Sequence, residues 1–97
     1  MTKPNPFAGL TEHQHCTGQY AVDINGMAVE PTDLTACKWC ALGALKYRGV
    51  PLTINIAFSC FLLDQYGSHT GKLNEENGWN FAQFESAWDE FVKEREA

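Results

Sequence analysis

The sequence predicts an α+β fold, a small single domain in which an N-terminal β-hairpin is followed by three helices. Three observations lead there. An Asn25-Gly26 pair lies between two short alternating segments, apolar residues recur at helical spacing after Pro31 and again after Trp79, and Gly and Pro punctuate the chain between them. At 97 residues, with 44% hydrophobic and 12% aromatic side chains, the chain is long enough for one core without obligatory staples.

Residues 1–12 are rich in Pro, Asn and Thr, with Phe7 and Leu10 as the apolar anchors, and predict a loosely packed arm with a mobile tip. From Gln19 to Glu30, Tyr20-Ala21-Val22-Asp23-Ile24 and Met27-Ala28-Val29-Glu30 read as two strands around Asn25-Gly26. Both turn residues tolerate the positive φ that a type I′ turn demands. Pro31-Thr32-Asp33 then supplies capping oxygens, and Leu34, Cys37, Ala41 and Leu45 follow at helical spacing, which predicts a helix from Asp33 to Tyr47. Gly43 inside it costs ~1 kcal/mol unless another backbone packs closely there, so a tight crossing is expected. Arg48-Gly49-Val50-Pro51 closes that helix.

Leu52 to Tyr66 fits two periods. Leu52, Ile54, Ile56, Phe58 and Cys60 alternate like a strand, whereas Ile54, Phe58, Phe61 and Leu62 share one helical face. The length of the run, Pro51 at a helix N1 position and the terminal Gly67 favour a buried helix. Ser68 to Gly78 reads as a polar loop. The last helix, Asn80 to Lys93, is the clearest element. Phe81, Phe84, Trp88 and Phe91 form one stripe, Asn80 and Gln83 make a capping box, and Trp79 can staple onto Phe84.

Twelve acidic against seven basic residues give a net charge of −5, which repels phosphate backbones and argues against direct nucleic-acid binding. Met1-Thr-Lys-Pro-Asn-Pro6 lacks the apolar core of a signal peptide, and Ile54 to Leu63 is far shorter than the ~20 residues that span a bilayer. A cytoplasmic protein with no membrane segment is expected. In that reducing setting Cys16, Cys37, Cys40 and Cys60 are expected as thiols or metal ligands.

Gly18-x-x-Ala21-x-Asp23-x-x-Gly26-x-x-Val29-x-Pro31-x-Asp33, followed by Trp39-Cys40-x-x-Gly43-Ala44-Leu45, resembles a family of small uncharacterised bacterial and phage proteins. In that family a similar hairpin leads into a helix with a Trp-Cys-x-x-Gly-Ala-Leu core. The match covers residues 18–47, with a weaker echo in the final helix. The resemblance carries over no activity. It implies a phage or mobile-element setting, where small acidic proteins act as stoichiometric inhibitors of host defence machinery.

Several constellations could carry chemistry. His13, His15 and Cys16, with the Cys37-x-x-Cys40 pair, offer zinc-type ligands, although both cysteines of the pair fall inside the expected helix, where buried inert thiols are the plainer reading. A dithiol redox role needs the first cysteine at a helix N-terminus, and Cys37 lies a turn too deep in that expected helix. Catalysis needs a nucleophile with a held His, and His13, His15 and His69 all fall in the arm or loops. No phosphate-binding loop is present. The acidic residues Asp64, Glu75, Glu76, Glu85, Asp89, Glu90 and Glu94 run from the loop along the outer face of the last helix. They read either as a solvated face or as a ridge that occupies a basic groove. The sequence thus points to a non-enzymatic protein with no cofactor and no metal. It is expected to bind a host protein of the nucleic-acid-handling kind, such as a CRISPR effector or another defence nuclease, through that acidic face. A small zinc-binding domain and a dithiol redox protein stand as alternatives.

Overall fold

The computed structural model describes residues 5–96, and within them the α+β class holds. Two strands, β1 (Ala21–Val22) and β2 (Lys38–Trp39), are followed by four α-helices: α1 (Ala41–Tyr47), α2 (Leu52–Tyr66), α3 (Thr70–Glu75) and α4 (Phe81–Glu96). A 3-10 turn, Glu12–Gln14, precedes β1. No helix among the described residues is long and apolar enough to cross a membrane.

The N-terminal arm is a correction. Pro6 and Phe7 are buried, and the Phe7 ring lies 5.5 to 6.3 Å from the rings of Phe58, Phe81, Phe84 and Trp88. Arg48 donates to the carbonyls of Pro6 (3.2 Å) and Ala8 (3.0 Å), and the Asn5 amide donates to that of Glu85 (2.8 Å). Burying one phenyl ring contributes roughly 2 kcal/mol, enough to recruit a short polar segment to the core. The expected mobile tip, residues 1–4, lies outside the described residues.

The turn at Asn25-Gly26 forms, but not as type I′. Gly26 has φ +80°, whereas among the described residues no residue other than glycine has positive φ. Asp23 organises the loop, its carboxylate accepting from the N–H groups of Asn25 and Met27 at 2.9 Å each. The result is a three-residue loop closed by a left-handed glycine. Its return limb makes a single bridge, Val22 to Ala28, and the regular partner of β1 is β2, antiparallel with Ala21 opposite Trp39.

The helix expected from Asp33 therefore begins only at Ala41. Asp33 spends its carboxylate on Thr35, accepting from its N–H (2.8 Å) and hydroxyl (2.7 Å), so a local turn replaces the helix start. Trp39 is buried in an extended segment with its indole N–H donating to the Pro31 carbonyl (2.9 Å), which holds Lys38–Trp39 as strand. Cys40 becomes the α1 cap, its sulfur accepting from the Gly43 N–H at 3.3 Å. Gly43 meets another backbone as expected: a Cβ built there would stand 1.8 Å from the Tyr20 carbonyl oxygen.

Leu52–Tyr66 is a helix, with Pro51 at the N-cap and Gly67 at φ +78° closing it. It is not buried all round: Phe58 and Leu62 are buried, while Leu52, Ile56 and Leu63 are exposed. The expected loop 68–78 contains α3, capped by the His69 Nδ1, which accepts from the Lys72 N–H. The last helix matches its expectation closely. Asn80 Oδ1 accepts from the Gln83 N–H (3.0 Å), Gln83 Oε1 accepts from the Asn80 N–H (2.9 Å), and Trp79 packs edge-on to Phe84 at 5.2 Å. Phe81, Phe84, Ala87, Trp88 and Phe91 are all buried, making α4 the main apolar face of the core.

Candidate functional site

Three surfaces carry the candidate residues. The acidic residues are distributed over three helices. Asp64 lies near the end of α2, Glu75 and Glu76 close α3, and Glu85, Asp89, Glu90 and Glu94 lie along α4. The Tyr66 hydroxyl donates to Glu90 at 2.6 Å, which sets the C-terminal end of α2 against α4. That carboxylate also pushes the Tyr66 hydroxyl pKa up. Asp89 accepts from the Asn5 amide at 3.1 Å. Glu75 stands apart from the α4 group: both its oxygens accept from the Gly18 N–H at 2.8 Å, tying α3 to the loop before β1. The one ion pair among the described residues, Lys46 with Glu30 at 3.5 Å, involves none of the seven.

The histidine and cysteine set is drawn into a structural network. His13 is exposed. His15 donates from Nε2 to the Asn74 Oδ1 at 2.6 Å, and its ring meets Phe81 edge-on at 4.9 Å. The same Asn74 oxygen accepts from the Ala41 N–H (3.0 Å), while its amide donates to the Cys16 carbonyl (3.4 Å). Asn74 is buried, so these bonds satisfy a polar group that would otherwise be costly. It thereby joins the segment around His15 to α3 and the start of α1. Nothing in the sequence singled it out, because an Asn inside a polar, glycine-punctuated stretch reads as surface.

Burial, aided by the neighbouring Cys40 and Glu75, pushes the Cys16 thiol up to about 11, and burial also raises Cys40. Both sulfurs are held as neutral thiols, the weaker form as nucleophile and as metal ligand. Cys40, not Cys37, occupies the helix N-terminus, but there its pKa is raised, opposite to the shift that a redox dithiol uses. No group of three or more His, Cys, Asp or Glu side chains among the described residues is placed to hold a metal ion.

The third surface was not anticipated. Beside α2 runs an open groove of about 780 Å³, walled by Leu52, Ile56, Cys60 and Leu63 of α2 and by Leu42 and Lys46 of α1, with Tyr20 and His69 on its rim. It exists because α1 turns back at Gly49 and the Tyr20 backbone seats on Gly43, which leaves the outward face of α2 uncovered.

No protein-family model, curated protein or solved structure matches this chain. The reading of its function rests on these surfaces.

Proposed function

We propose that this chain is a non-enzymatic interaction protein that inhibits or sequesters a host protein by presenting the carboxylates of α4, with Asp64 of α2 alongside, to a basic groove. What carries the reading is unpaired charge: Glu85, Asp89, Glu90, Glu94 and Asp64 form no ion pair among the described residues, with Lys93 and Arg95 the basic residues of the same helix. The hydrogen bonds that Asp89 and Glu90 accept from Asn5 and Tyr66 orient their carboxylates without neutralising them. Two carboxylates held in this way lose less side-chain entropy on docking than free ones would. The complement of the α4 row is a groove built for phosphates, as in a CRISPR effector or another defence nuclease, reached in the cytoplasm without direct nucleic-acid contact by this chain. Glu75 and Glu76 lie at the far end of α3 and are secondary to the α4 row, Glu75 being committed to Gly18.

The experiment is charge reversal of Glu85, Asp89 and Glu90 to Lys together, followed by binding kinetics against a basic nuclease captured from host lysate. Stability should change by about 1 kcal/mol or less, while association slows at least tenfold and wild-type binding weakens as salt rises. Unchanged inhibition by the triple variant, or salt-insensitive wild-type affinity, refutes the acidic-face reading.

A further inference from the structure

We propose that the outward face of α2 is the seam of a two-fold dimer of this chain. Leu52, Ile56, Ser59 and Leu63 succeed one another at spacings of four, three and four residues, the alternation by which one helix packs along another. The core does not need this stripe. α2 meets α4 through Phe58 and Phe61, whose rings pack on Trp88 and Phe91, and Leu62 is buried in the same core. Leu52, Ile56 and Leu63 stay 72%, 55% and 54% exposed.

Three features point to a second copy as the occupant. The first is shape. A two-fold interface uses one patch twice, so the patch must hold both a projection and a recess. Here Leu52 and Tyr20 project beside the 780 Å³ groove that would receive their symmetry mates. The second is charge. With a net charge of −5, two copies repel wherever carboxylates meet. The one Lys lining the groove, Lys46, is already paired with Glu30 of its own chain, and Asp64 is the acid that follows the stripe at its C-terminal end. Leu52, Ile56 and Leu63 carry no charge, so contact centred on them joins two copies with few carboxylates, and Tyr66, bonded to Glu90 of α4, bounds the seam at its C-terminal end. The third is area. A standard interface takes ~800 Å² from each partner, and the exposed parts of Tyr20, Leu52, Ile56 and Leu63, which are themselves walls of the groove, offer roughly 450 Å², the size of a weak, micromolar self-association.

The test is sedimentation velocity on the full chain from about 1 to 500 µM, since interfaces of this size span micromolar and tighter affinities. The wild type should pass from monomer to dimer within or below this range. Ile56→Glu with Leu63→Glu places four carboxylates in the two-fold seam and should raise the dimer dissociation constant more than about 100-fold. Circular dichroism checks that the variant is folded; should it not be, Leu52→Ser with Ile56→Ser is the milder pair, expected to weaken the dimer about tenfold or more. Added salt should leave the wild-type dimer intact or tighten it, the opposite of its effect on acidic-face binding. Glu85→Lys with Asp89→Lys should still dimerise. A wild type that stays monomeric at 500 µM, a dimer that the stripe variants leave intact, or one that α4 charge reversal abolishes overturns the proposal.

Discussion

Gly43→Ala isolates one contact on which the joint between β1 and α1 depends. The substitution adds a single methyl group inside a helix, where intrinsic propensity alone favours alanine by ~1 kcal/mol. In this structure that methyl would stand 1.8 Å from the Tyr20 carbonyl oxygen and 2.7 Å from its carbonyl carbon. An ordinary contact requires the two backbones to part by roughly 1.5 Å. The Tyr20 oxygen also accepts the Cys40 N–H at 3.1 Å, so parting breaks the bond that pins α1 to the strand. A backbone shift of this kind costs ~1 to 3 kcal/mol, and the orphaned buried N–H a further ~1 to 3. After the propensity gain, a net loss of about 1 to 5 kcal/mol is expected, a large share of the ~5 to 15 that holds a domain together. Urea unfolding followed by tryptophan fluorescence measures it. Gly71→Ala is the control, since there the nearest atom is the His69 side chain at 3.4 Å, and its stability should stay within about 0.5 kcal/mol of wild type or rise. A Gly43→Ala protein as stable as the wild type would refute the close approach.

Trp88→Ala should cost ~3 to 5 kcal/mol, because its ring packs on Phe7, Phe58 and Phe91, whereas Glu85→Ala should change stability by less than about 0.5; equal effects in a denaturation series would contradict the aromatic face of α4. Gly26→Val should destabilise by more than about 1 kcal/mol, since no β-branched residue adopts φ +80° without strain, and a variant melting with the wild type would place the strain elsewhere. For Cys16 the folded protein holds the proton up to about 11, above the ordinary thiol value of 9.0, so its contribution to stability is complete below pH 9 and lost as pH rises toward 11. Cys16→Ser should flatten that part of the pH–stability curve, and a slope identical to wild type would count against burial as the cause.

The parts of the fold legible in the sequence are those whose signals are local and redundant. In α4 the aromatic stripe, the Asn80–Gln83 box and the Trp79–Phe84 staple all specify one helix in one register. Residues 33–40 failed because Asp33 can either cap a helix or close a turn on Thr35, and the choice was made by Trp39, whose indole needed the Pro31 carbonyl. That non-local demand also moved Cys40 from a helix interior to a cap and paired β1 with β2 across fifteen intervening residues, 23–37. Of the candidate site, the α4 carboxylates were readable from period alone. The Asn74 network was not, since a buried amide with partners in three segments leaves no periodic trace.

The ambiguity of residues 52–66 has a physical cause that bears on function. A strand-like alternation and a helical face coexist there because α2 is apolar on two sides, Phe58 and Leu62 on one, Leu52, Ile56 and Leu63 on the other. A helix apolar all round is stable when both sides are covered. Within one copy only the first side is covered, while the second borders a groove that α1 and the Tyr20 segment leave open. A polar residue at Ile56 or Leu63 would have given α2 an ordinary amphipathic pattern at small cost to the core, since each side chain is more than half exposed. The apolar choice at those positions therefore contributes to folding of the single chain only through the half of each side chain that is covered, and leaves the other half as an aggregation hazard, a combination that makes physical sense where the face is covered by association.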